Sequence, residues 1–169
     1  DYQRRPTGKT MVRGDEHPEG MYPPVVHIVI FRPDGRMLIQ QRQSFKKGWP
    51  NYWDISVGGS AQTGEDSPTA AMRETREELG LTVDLTGRRP TLTNCSGGAF
   101  DDIYILELPV ELSELRLQPE EVQSAAFATQ EEIFATIDDG RFIPYLKSFI
   151  MLLFDLHRRG GMVDCSKKK

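Results

Sequence analysis

A chain of 169 residues, 38% apolar and 27% charged, is long enough for one domain with a single core and too polar for a membrane protein. At a net charge of −4 nothing points to general nucleic-acid binding, although a basic pocket is compatible with it, and no apolar run reaches the ~20 residues of a transmembrane helix. The two cysteines, Cys95 and Cys165, match no metal-ligand spacing, so a reduced, cytoplasmic setting is expected.

The chain opens on Asp1 rather than Met, and removal of a few preceding residues is expected. One domain is expected over residues 1–169, with an irregular N-terminal arm (1–21) that carries a short hairpin around PTGKTMVRG. VVHIVIF (25–31) is almost wholly apolar and β-branched, the pattern of a strand covered on both faces. RPDGR is a turn, and MLIQQR (37–42) its hairpin partner. SFKKGWPNYW reads as a loop, WDISV as a short strand, and GGSAQTGED as a glycine-bearing loop. A helix then follows, with Ser67 as N-cap, Pro68 in the first helical position and Gly80 at the stop. LTVDL, TLTNCS, DIYILEL and VQSAAFA are strand candidates. TQEEIFATI is a helix started by Thr129, and Leu146, Phe149, Ile150 and Leu153 mark a last helical stripe. Residues 158–169 are a polar tail. Interleaved helices and strands predict an α/β sandwich around a mixed sheet.

RETREELG (73–80) is the part that asks for an explanation, because Glu74, Glu77 and Glu78 share an arc of about 100° on the predicted helix. Like charges at that spacing repel. Ala71, Thr75 and Leu79 form the core stripe, with Glu78 beside it. Two readings fit: a solvated acidic face diluted by Arg73 and Arg76, or a site for a hard divalent cation such as Mg²⁺, which takes oxygen ligands and cancels the repulsion.

From Gly59 the chain reads GSAQTGEDSPTAAMRETREELGL, which resembles the Nudix box. Gly59, Glu65, Arg73, Glu74, Glu77, Glu78, Gly80 and Leu81 stand at the family's spacing, and Thr75 departs from the usual Leu, Ile or Val. The resemblance implies a Nudix-type α/β/α sandwich and Mg²⁺-dependent hydrolysis of a nucleoside diphosphate derivative or related organic diphosphate, with Mn²⁺ as a substitute ion. It implies Glu77 and Glu78 as principal metal ligands, Glu74 as a further ligand or the base, and the Gly59 carbonyl completing the shell. Arg73 would orient Glu74, and Glu65 would support the loop or bind a second ion. In some members the base lies on a later loop, where Glu120 and Glu121 are the candidates here against a plain solvated pair. Many members dimerise, so a homodimer is an open expectation, whereas neither a nucleic-acid nor a membrane partner is expected.

Arg42 and Lys46, ahead of a Trp-Pro segment, form a second resemblance, to the diphosphate-binding loop of isopentenyl diphosphate isomerase, with Lys47 assisting. That makes a prenyl diphosphate one candidate substrate. The isomerase's catalytic Cys and metal-binding His align with Gly58 and Ser60, which speaks against isomerisation. A non-catalytic diphosphate sensor is the other alternative, although such sensors lose box glutamates that are all present here. Phe45, Trp49, Tyr52 and Trp53 either line a binding pocket or close a core. His27 reads as a core histidine, and His157 as a cation at a helix C-terminus.

Overall fold

The apolar run forms β1 (Pro24–Phe31), the middle strand of the sheet, and both its faces are covered. Val26, Ile28 and Ile30 join one core with Leu38, Val57, Ala70, Ala71 and Leu79. Val29 and Phe31, on the opposite face, join a second core with Ile39, Ile55, Ile133, Ile150 and Leu153. The computed structural model describes residues 1–12, 15 and 18–161. Among them, seven strands make one mixed sheet. The others are β2 (Met37–Arg42), β3 (Trp53–Asp54), β4 (Val57–Ser60), β5 (Leu92–Ser96), β6 (Ala99–Glu107) and β7 (Val122–Ala128). Helix α1 (Ser67–Leu79) closes the first core, and α2 (Gln130–Asp138) and α3 (Lys147–Arg159) close the second. The result is the expected α/β/α sandwich.

Pairing around β1 makes the opening in which the site is built. β1 runs parallel to β6 over its whole length, but it pairs with β2 only at Phe31↔Met37 before the two strands diverge. Beyond that point β4 pairs with β1, from Val25↔Ser60 to Ile28↔Val57, while β2 pairs with β3 and β7. Fully buried Ser56 fills the split: Ile30 N donates to its Oγ at 2.8 Å, and the Oγ donates to the Leu38 carbonyl at 2.6 Å. The hydroxyl thus replaces ladder bonds that diverging strands cannot make.

Several expectations need correction. WDISV is not one strand but two, β3 and β4, broken at Ile55 and Ser56 where the chain changes partner, and the expected glycine loop begins after Ser60. LTVDL forms no strand: Leu85 is fully buried, and Leu81 and Val83 pack on the first core, so their alternation serves packing without a ladder. The N-cap of α1 is Asp66, not Ser67, because it is the Asp66 carboxylate that accepts from the Thr69 amide, at 3.0 Å. Leu146 precedes α3 and is 75% exposed, so the buried stripe is Ile150, Leu153 and Phe154. β6 starts three residues ahead of DIYILEL, at Ala99. Residues 6–12 carry no strand, and the rest of the expected hairpin lies partly outside the described residues, as do Cys165 and most of the expected tail.

Candidate active site

Local chemistry sets α1 in place. Asp66 caps its first turn, Pro68 fits where no helical N–H is needed, and Gly80 ends it at φ 71°. A Cβ at Gly80 would also stand 2.7 Å from the Arg116 Cβ, so a side chain is excluded there twice. The amides of Arg116 and Gln118 donate to the Leu79 and Glu78 carbonyls at 2.9 and 3.1 Å, which secures the turn that carries the glutamates. Thr75 is fully buried, and its hydroxyl donates to the Ala71 carbonyl at 2.7 Å. That bond satisfies the one polar group that the usual aliphatic residue would lack.

Arg73 collects three of the four box glutamates. Its Nε and Nη2 donate to the two Glu65 oxygens at 2.8 and 2.9 Å, and its Nη1 reaches Glu77 at 2.9 Å and Glu74 at 3.0 Å. Nη2 also donates to the Ser60 carbonyl at 3.1 Å, tying α1 to β4. The hydrogen bond from Arg73 holds the Glu65 carboxyl below its usual range, and the Glu65 bond raises the Arg73 guanidinium further. The Gln62 backbone amide donates to Glu65 Oε2 as well, at 2.8 Å. A Cβ on Gly59 would lie 2.1 Å from the Glu74 carboxyl carbon. Only glycine lets that carboxylate rest against the backbone.

Glu78 is separate from this group. It is 4% exposed, and the Gln40 amide donates to its Oε2 at 2.9 Å. Burial pushes its pKa from 4.5 up to about 8, opposed by the Gln40 bond and reinforced by the negative charges of Glu74, Glu121 and Asp54. Among the described residues, no three His, Cys, Asp or Glu side chains are gathered into a metal-holding group. The reason is visible in the contacts, with three glutamates turned to Arg73 and the fourth to Gln40. The donor set nevertheless fits a hard divalent cation: it is all oxygen, it includes a buried carboxylate whose partner is a neutral amide, and the Gln40 Oε1 beside it is buried with no hydrogen-bond partner among the described residues.

The basic loop flanks the same region. Arg42 donates from Nε to the Gly48 carbonyl at 3.0 Å and from Nη1 to Asp54 at 3.4 Å. Asp54 is buried, which raises its pKa, while the Tyr145 hydroxyl donates to it at 2.9 Å. Lys46 is ion-paired with Glu121, whereas Lys47 and Glu120 are exposed. Trp49 and Tyr52 meet edge to face at 5.3 Å, with Trp49 in the left-handed region at φ 51° and Asn51 at φ 64°. Such a conformation is unusual for a bulky residue and is characteristic of functional loops. Trp53 instead packs on the second core, and Phe45 is exposed. His27 contacts Asp101 through Nε2 at 3.3 Å, and His157 stacks on Phe31 and contacts Glu107 at 2.8 Å.

Sequence reasoning missed Gln40 and Asp54. They face one another across β2 and β3, a register that no sequence spacing reports. The available signal was polarity: Gln40 is a polar residue that directly follows three buried apolar residues of β2.

The fold and site can be set beside known proteins. A family model described as the NUDIX domain matches residues 21–146. An uncharacterised Nudix hydrolase from Listeria monocytogenes is 47% identical over 153 residues, covering 90% of this chain and 89% of that protein. An isopentenyl-diphosphate Delta-isomerase from Cutibacterium acnes is 33% identical over 126 residues, covering 68% of this chain and 62% of that protein. Among solved structures, a Deinococcus radiodurans protein superposes with a TM-score of 0.66 at 25% identity, over 85% of this chain and 88% of that one.

Proposed function

The chain belongs to the Nudix family of pyrophosphate hydrolases, and on that premise we propose that it cleaves the diphosphate linkage of a nucleoside diphosphate derivative or a related organic diphosphate, with Mg²⁺ as the working ion and Mn²⁺ able to replace it. The observation that carries this reading is the juxtaposition of Glu74, laid against Gly59, with Glu78, buried and short of positive charge. Glu74, Glu77, Glu78 and the Gly59 carbonyl would hold the ion, with Glu65 as a further ligand. The bound ion would neutralise phosphate oxygens and lower the pKa of an attacking water.

The remaining roles fall to the protein. Glu74 accepts the proton of the water as its oxygen bonds to phosphorus and the bridging P–O bond breaks, which yields two phosphorylated products, or a monophosphate and orthophosphate from a terminal diphosphate. Arg73 holds that carboxylate in place through its contact at 3.0 Å. Glu121 is the alternative base favoured over Glu120, because its charge is felt at Glu78. Arg42, Lys46 and Lys47 bind the diphosphate: Arg42 is pre-oriented by Gly48 and Asp54, and Lys46 is delivered to the site by Glu121. Trp49 and Tyr52 form one wall for the organic moiety.

A prenyl diphosphate is a specific candidate, supported by the exposed Phe45 and Trp49 on the basic loop and by the isomerase relatives. Isomerisation itself lacks its groups, since Gly58 and Ser60 stand where the isomerase resemblance requires Cys and His. The reading includes a cytoplasmic setting.

The test is a panel of ADP-ribose, dinucleoside polyphosphates, nucleoside triphosphates, sugar nucleotides and prenyl diphosphates with Mg²⁺, read by phosphate or monophosphate release. Glu78→Gln should abolish turnover in a folded protein, and Arg42→Ala should mainly raise KM. Full turnover by E78Q overturns the metal assignment. Binding of a diphosphate with no release from any of the panel points to a sensor instead.

A further inference from the structure

Gln40 lies on β2, outside the box, opposite Asp54 on β3 and Ala125 on β7. It is 3% exposed, and its side chain donates from Nε2 to Glu78 Oε2 at 2.9 Å. The other end of the same amide, Oε1, is buried and has no partner among the described residues. A buried amide oxygen without a donor is unfavourable, and structures rarely tolerate one. The charged groups felt at Glu78 cannot supply the missing hydrogen bond: Glu74, Glu121 and Asp54 are carboxylates, which only accept when ionised. Reversing the amide only exchanges the orphan, because the NH₂ would then take the buried position that has no partner among the described residues.

The pattern is that of a residue with one end engaged and the other waiting. Nε2 fixes the plane of a carboxylate that has little other support, since Arg73 serves Glu65, Glu74 and Glu77. Oε1 requires a donor within a region of concentrated negative charge. A hydrated divalent cation satisfies both demands, because its charge answers the carboxylates and its hydration offers O–H donors.

We infer that Gln40 is a positioning residue for the metal site, aiming the Glu78 carboxylate with its amide nitrogen and accepting a hydrogen bond from the hydration of the cation with its amide oxygen. This rests on the metal assignment proposed above and extends it to a strand residue that the box does not contain. Partners of this type around a metal typically change affinity by about 10- to 100-fold when removed.

The experiment compares wild type, Gln40→Leu, Glu78→Gln and the double variant, titrating Mn²⁺ and reading free ion by electron paramagnetic resonance, with thermal melts in EDTA alongside. Leu nearly matches Gln in volume and removes both polar ends. Q40L should bind Mn²⁺ about 10- to 100-fold more weakly, while it still melts cooperatively in EDTA, at a temperature lowered by the loss of the one hydrogen bond to buried Glu78. The double variant should bind little more weakly than E78Q, because the two residues act together. Wild-type Mn²⁺ affinity in Q40L, with E78Q impaired, overturns the Gln40 role and leaves the metal assignment standing. Wild-type affinity in E78Q overturns the assignment itself. Unchanged Mn²⁺ affinity beside a lowered melt identifies a merely structural amide and overturns the positioning role. Should Q40L fail to fold, the unbranched Gln40→Met is judged by the same criteria.

Discussion

Replacing Glu78 by Gln should stabilise the metal-free protein, and by an amount that depends on pH. Glu78 is 4% exposed and its pKa rises from 4.5 to about 8 on folding. The folded value lies above the unfolded one, so the unfolded chain gives up this proton first. Wild type therefore loses stability as pH rises from 4.5 towards 8, and the loss is complete above that range. Each pH unit in the interval is worth about 1.4 kcal/mol. The difference between E78Q and wild type should thus be near zero at pH 4, roughly 3 kcal/mol at pH 7 and roughly 5 kcal/mol above pH 8. These figures are upper bounds, because water entering the unfolding site relieves part of the desolvation. The amide introduced by E78Q keeps an acceptor oxygen for Gln40, so no hydrogen bond is forfeited. Urea denaturation in EDTA at pH 5, 7 and 8.5, followed by circular dichroism, measures the gap. A gap that fails to widen with pH, or a wild type more stable than E78Q at pH 8.5, refutes the reasoning. Adding Mg²⁺ should reverse the order: at 100 times its Kd an ion adds about 2.7 kcal/mol to the protein that binds it, and E78Q should not share the gain.

Three further outcomes follow from the contacts. Arg73→Ala should lower stability by about 3 kcal/mol, because it strips the shared cation from Glu65, Glu74 and Glu77; Arg73→Lys should recover part of that stability in urea melts but little activity, since a point charge cannot reach three carboxylates and the Ser60 carbonyl. Gly59→Ala drives a methyl into the Glu74 carboxylate, so kcat should fall about 100-fold, with a small change in melting temperature as the check that the fold survives. Arg4→Ala removes the guanidinium that donates bidentately to fully buried Asp102, and because Arg4 is 40% exposed the loss should be about 2 kcal/mol, below what breaking a fully buried pair costs. Burial raises the Asp102 carboxyl, but its bonds to Arg4, Ser67 and Thr93 outweigh that and hold it below its usual value of 3.8. This stabilisation is therefore present above the unfolded pKa and fades as pH falls below it, so the gap between R4A and wild type should close in strongly acidic melts.

The box was legible because its chemistry is local. Gly59, Glu65 and the glutamates of α1 act at spacings that one loop and one helix impose, so a linear motif carries most of their geometry. Elements set by competition with distant partners were not legible. LTVDL alternates as a strand does, but Leu81, Val83 and Leu85 find a core to pack on and no free ladder to join. Asp66 and Ser67 are both good caps, and the choice fell to Asp66 because the Ser67 hydroxyl is engaged with the Tyr104 hydroxyl at 2.9 Å on β6. Lys46 and Glu121 are 75 residues apart, and neither residue alone indicates that they meet.

Repulsion among Glu74, Glu77 and Glu78 is resolved here by dividing them. Glu74 and Glu77 share Arg73 with Glu65, where the guanidinium, and for Glu77 solvent as well, make the charges tolerable. Glu78 is buried on the other side of the arc, and in the absence of a cation it is largely protonated at neutral pH. The two solutions differ in what they leave available. A carboxylate satisfied by arginine must exchange partners before it can ligate an ion, whereas a protonated one need only lose a proton. On this argument cation binding to the metal-free protein should release close to one proton per ion at pH 7, and the apparent affinity should climb with pH until about 8. Calorimetric titrations of Mn²⁺ in two buffers of different ionisation enthalpy count that proton. Binding without proton release would mean that Glu78 is already ionised in the free protein, and the division of labour along α1 would then have to be redrawn.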